Sequence, residues 1–129
     1  MTRSEAARIA FGSCFILAGT LHFIVPDHYV AIMPRYLPAP AALVALSGLA
    51  EIAGGIGFLI PRFRRVAGVA LILLLIAVFP ANLEMLRLAQ LGDAPTWEKV
   101  LLWLRLPLQA VLIWLAWRLS RPLSPPRIA

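Results

Sequence analysis

Cysteine is almost missing from this chain, with Cys14 the only one among 129 residues. A single thiol closes no intramolecular disulfide and forms no C-x-x-C pair, so dithiol cycling within the chain is excluded. Cys14 sits inside an apolar run and is expected to be a small buried packing residue. Histidine is equally scarce: His22 and His28 alone do not make a metal-ligand set, and no metal site is expected. Charge is thin as well, at 14% of residues against 61% hydrophobic, which excludes an ordinary soluble domain. The net charge of +6 does not indicate nucleic acid, because the arginines stand at the ends of apolar runs and an embedded chain has little surface for a basic groove. No haem, flavin or iron–sulfur motif is present.

What remains is apolar sequence in four runs, which predict helices over about 6–25, 41–60, 66–83 and 100–117 in a single membrane domain, 1–129. Each is close to the ~20 residues that cross a bilayer. The first run is expected to remain as a helix rather than to be a signal peptide: it carries His22 and Phe23 and ends in Pro26 and Asp27 without a small-residue cleavage pattern. Between the first two runs, Pro34, Pro38 and Pro40 alternate with Tyr29, Met33 and Tyr36, which predicts a short interfacial segment with at most one helical turn. Arg87 to Lys99 is expected to be a second outer connection, and 118–129, with its arginines and prolines, a flexible tail.

Arginine and lysine are distributed unevenly. Arg3, Arg8, Arg62, Arg64, Arg65, Arg118, Arg121 and Arg127 fall on one side, and Arg35, Arg87 and Lys99 on the other. The positive-inside rule then predicts an all-α, four-helix up-down bundle with both termini cytoplasmic, in a bacterial-type inner membrane.

Against this background Glu51 stands out, midway along the second run in S-G-L-A-E-I-A-G-G-I-G (Ser47 to Gly57). An acidic side chain at a membrane helix centre costs roughly 2.5–3.5 kcal/mol, so it needs a partner, a proton or an interior position. Ser47, Glu51 and Gly55 are spaced by four and share a face, and the small residues there allow close approach of another helix, or of a second copy in a homo-oligomer. With the orientation above, His22 lies roughly 5 Å, Arg105 roughly 8 Å and Glu51 roughly 15 Å below the outer ends of their helices. Asn82, near Pro80, is at the outer end of the third helix, and Gln109 shares a face with Arg105. All four helices are therefore expected to send a polar group into one outward pocket, with Arg105, His22, Gln109 and Asn82 the candidate partners of Glu51, and an inward ion pair of Arg105 favoured over its snorkelling to the outer surface. Glu84 is expected to be an exposed interfacial charge.

G-T-L-H-F-I-V-P (Gly19 to Pro26), M-P-R-Y-L-P (Met33 to Pro38), S-G-L-A-E (Ser47 to Glu51), the arginine-rich turn, F-P-A-N (Phe79 to Asn82) and R-L-P-L-Q (Arg105 to Gln109) together resemble the DoxX-like family of small four-helix membrane proteins. The resemblance runs from about Gly19 to Trp114. It implies that family's fold, its membrane location and a loose association with redox systems. Three functions stay open. One is a redox-associated component binding a quinone or similar lipophilic molecule, with Arg105, Asn82, Gln109 and Ser47 as ligand-binding groups, Glu51 and His22 exchanging protons, and electrons supplied by a redox partner protein. The second is a non-enzymatic partner that stabilises a membrane assembly. The third is proton-coupled transport or acid–base chemistry on an amphipathic ligand.

Overall fold

The chain enters its first helix through Thr2, whose hydroxyl accepts the Glu5 amide at 3.2 Å while the Glu5 carboxylate accepts the Thr2 amide at 2.7 Å. This reciprocal cap satisfies donors that a helix start leaves unpaired, so α1 runs from Arg3 to Ile24, earlier than the apolar run indicated. The structure, a computed structural model, describes residues 1–31 and 33–122, and all of its regular elements are helices. Pro26, which has no N–H to continue α1, opens the six-residue α2 (Pro26–Ala31). Pro40 likewise opens α3 (Pro40–Leu59), preceded by Ala39 in the left-handed region at φ 47°. The remaining helices are α4 (Arg64–Leu91) and α5 (Thr96–Ser120).

α1, α3, α4 and α5 are each long and apolar enough to cross a membrane. The expected outer connection at 87–99 shrinks to 92–95, because Leu83 to Leu91 consists of strong helix formers and the Glu84–Arg87 pair, at 2.9 Å, supports that turn. Glu84, expected to be an exposed interfacial charge, is 15% exposed at its side chain and pairs with Arg87. Of the expected tail, 118–120 belongs to α5 and 123–129 lies outside the described residues.

Helix packing begins with a glycine seam. A Cβ added to Gly12 would come within 2.9 Å of the Gly55 carbonyl, and one added to Gly19 within 2.6 Å of the Gly48 carbonyl. Only hydrogen side chains allow such approach, and α1 makes its most extensive contacts with α3. α3 reaches α4 where Gly54 faces Leu71, and α4 reaches α5 where Gly68 faces Ser120. Phe58 and Leu71 are completely enclosed, with Phe11 and Phe15 tilted against one another and Phe11 against Phe58 at centroid distances of 5.0 and 4.8 Å. The outer faces carry large apolar side chains in the open, such as Leu17 (67% exposed) and Leu73 (61%), as a lipid-facing surface requires.

Two arginines tie off helix ends opposite the Glu51 half of the seam. Arg8 donates to the carbonyls of Leu119 and Arg121 at 2.9 and 2.8 Å, and Arg64 donates to that of Phe58 at 2.8 Å. Both supply donors and positive charge where a helix C-terminus has unpaired carbonyls.

Candidate ligand pocket around Glu51

The seam that joins α1 and α3 also creates the site. His22 is one turn beyond Gly19 and Glu51 one turn beyond Gly48. A Cβ at Gly48 would meet the His22 Cβ at 2.8 Å, and one at Gly19 would meet the Glu51 Cβ at 3.0 Å. Backbone contact between the glycines thus brings the two titratable side chains together, with His22 Nδ1 3.5 Å from Glu51 Oε2. Nδ1 also lies 2.9 Å from the Ala18 carbonyl. A carbonyl only accepts, so Nδ1 carries the proton. Glu51 Oε2 is buried with no hydrogen bond among the described residues, because the Nδ1–H beside it is directed to the Ala18 carbonyl.

α2 covers this pair. The Tyr29 ring stacks on the His22 imidazole at 3.9 Å and 18°. Burial, and secondarily the Glu51 carboxylate, push the Tyr29 phenol above its ordinary pKa, so it stays a neutral hydroxyl at physiological pH.

Across the cavity, α4 and α5 contribute a hydrogen-bonded amide chain. Gln109, only 5% exposed, donates from Nε2 to the Leu75 carbonyl, and its Oε1 accepts from Asn82 Nδ2 at 2.7 Å. Pro80 has no N–H for the Ile76 carbonyl, and the Leu75 carbonyl one residue before it accepts the α5 side chain of Gln109.

These groups surround a cavity of about 310 Å³. His22, Ser47, Glu51, Asn82, Arg105 and Gln109, the six residues expected from sequence, all line it. Phe15, Val44, Leu75, Val78, Leu108 and Leu112 supply the apolar wall. That volume and mixture suit a small ligand site, mostly apolar with a few polar groups. Among the described residues, no cluster of three or more His, Cys, Asp or Glu side chains is placed to hold a metal ion.

A family model described as a domain of unknown function, DUF8561, matches residues 11–120, a span that contains every residue of the cavity wall. The chain belongs to the DUF8561 family. No curated protein and no solved structure matches it.

Two expectations are corrected in this DUF8561 chain. Arg105 does not pair with Glu51: it is exposed, and its Nη1 lies 3.2 Å from the Met85 sulfur. The glycine seam gives Glu51 a nearer partner in His22, while Arg105 lines the same cavity from α5. Cys14 is not buried in the core but exposed and part of the cavity wall, because Cys14, Ala18 and His22 recur every four residues on one face of α1. That spacing was available in the sequence. Tyr29 and Met33, expected only in an interfacial segment, also line the wall; they come from the segment between α1 and α3, whose fold over His22 no periodicity encodes.

Proposed function

We propose that this protein is a DoxX-like, redox-associated membrane component that holds a small lipophilic molecule of the quinone type in the cavity around Glu51. The observation that carries the reading is the cavity itself, apolar along its walls and furnished at one end with the close pair of His22 and Glu51, whose Oε2 has no hydrogen-bond partner among the described residues. A buried carboxylate in a membrane helix is retained at a cost, and a ligand contact or proton exchange offsets it. His22, with its Nδ1–H directed to the Ala18 carbonyl beside Glu51, supplies the second proton-exchanging group, while Arg105 and Ser47 offer donors to a carbonyl or hydroxyl. Electrons come from a partner protein, since the chain carries no electron-transfer motif of its own.

The proposed setting is a bacterial-type inner membrane, with four helices running up and down and both termini cytoplasmic. Helix pairing supports it: Gly12 with Gly55 and Gly19 with Gly48, Gly54 with Leu71 and Gly57 with Ala67, and Gly68 with Ser120 and Asn82 with Gln109 are contacts in which one helix ascends in number as the other descends. The arginine asymmetry supports the orientation.

Extraction of the protein with its native lipids, followed by mass spectrometry of co-purifying small molecules, tests the function. A quinone-type molecule enriched with the wild type and lost from folded Glu51→Gln is the expected result. Equal recovery of lipids only, from both proteins, would leave the pair with a structural role in assembling the bundle.

A further inference from the structure

The polar end of the cavity has a hydrogen-bond polarity, and it narrows the ligand. The Ala18 carbonyl fixes the proton of His22 on Nδ1, which leaves Nε2 of the neutral ring an acceptor. Glu51 Oε2 faces that Nδ1–H, so in the carboxylate, or with the carboxyl proton on Oε1, this oxygen is an acceptor. Its hydrogen bond is missing, and burial makes the deficit costly. The Leu75 carbonyl orients the Gln109 amide, Gln109 Oε1 orients the Asn82 amide, and Asn82 Oδ1 ends the chain as a third acceptor, one of the Asn82 N–H bonds being committed to Gln109. His22, Glu51 and Asn82, which carry these acceptors, line one cavity from α1, α3 and α4, and no donor of the other described wall residues satisfies Oε2. Arg105 in the same wall disfavours a cationic donor such as an ammonium.

Resting on the quinone-type reading above, we infer that the pocket selects the hydroxyl-bearing form of its ligand, a hydroquinone or phenol that donates its O–H to Glu51 Oε2, over the corresponding dicarbonyl. A quinone presents only lone pairs and leaves Oε2 unsatisfied. A hydroquinone of the same size and ring supplies the missing donor.

Cys14 provides the assay, being the only cysteine in the chain and part of the cavity wall. The full-length protein in detergent, kept anaerobic, is labelled with a maleimide in the presence of duroquinone, durohydroquinone or durohydroquinone dimethyl ether. These rings are fully substituted and do not arylate the thiol. Durohydroquinone is expected to slow labelling at concentrations about tenfold or more below those needed of duroquinone, with the dimethyl ether no better than the quinone. In Glu51→Gln the ratio between the two redox forms is expected to fall towards one. Protection by duroquinone equal to or stronger than that by durohydroquinone overturns the inference and leaves the pocket reading standing. Protection by none of the three overturns the pocket reading along with it. The three-probe comparison on the wild type decides the matter alone if the variant does not fold.

Discussion

At the scale of single residues, Gly19 and Gly48 set the distance between Glu51 and His22. Gly19→Ala drives a Cβ to within 2.6 Å of the Gly48 carbonyl, a backbone atom that cannot move aside without separating α1 from α3. The expected cost is about 1–3 kcal/mol, read as a lowered thermal midpoint in detergent, with weaker binding of any pocket ligand. Tyr29 carries a second prediction. Its phenol titrates above the ordinary value because it is desolvated and near Glu51. A raised folded-state pKa means that the associated stability is complete below the ordinary phenol pKa and lost as pH rises through the raised one. In a Tyr36→Phe background, which leaves Tyr29 the only tyrosine, phenolate absorbance should appear at higher pH than in the unfolded protein and move part of the way back in Glu51→Gln. Glu51 itself was legible in the sequence, since a carboxylate within an apolar run announces a constraint. The stack of Tyr29 on His22 was not, because it depends on how a proline-rich segment folds back, and that is decided by packing on α1.

At the scale of helices, the polar contacts act as joints. Gln109 links α5 to α4 through the Leu75 carbonyl and Asn82, and Gln109→Leu strands both partners in an apolar interior. A loss of about 1–3 kcal/mol is expected, with Asn82→Leu in the Gln109→Leu background costing less than it does alone. Arg8 performs the corresponding task between α1 and the end of α5, so Arg8→Gln should speed amide exchange in the last turn of α5, which hydrogen-exchange mass spectrometry reads directly. Helix existence followed from the apolar runs, whereas helix ends were set by local chemistry that hydropathy ignores. The Thr2–Glu5 cap starts α1 early, and the leucine-rich turn with Glu84 and Arg87 carries α4 to Leu91. The cap had a readable signature in T-R-S-E; the extension of α4 had one only in propensity.

At the scale of the whole molecule, five helices line the cavity around Glu51, and the spans present large apolar side chains outwards. The proposed orientation predicts that a fluorescent protein fused to the C-terminus is bright and a secreted phosphatase at the same position inactive; the reverse pattern would invert the bundle. That polar residues of all four spans would converge was readable from their depths. Which of them touch was not, because contact is fixed by the glycine register, and this pairs Glu51 with His22 in preference to Arg105. Native mass spectrometry of the intact protein released from its membranes is the most direct measurement of whether that convergence is a ligand site. Wild type and Leu46→Ala, an α3 substitution on an exposed face, are expected to carry the same non-phospholipid mass increment, and Glu51→Gln to lack it. An increment absent from all three, or identical in all three, would contradict the assignment of the cavity to a ligand held through Glu51.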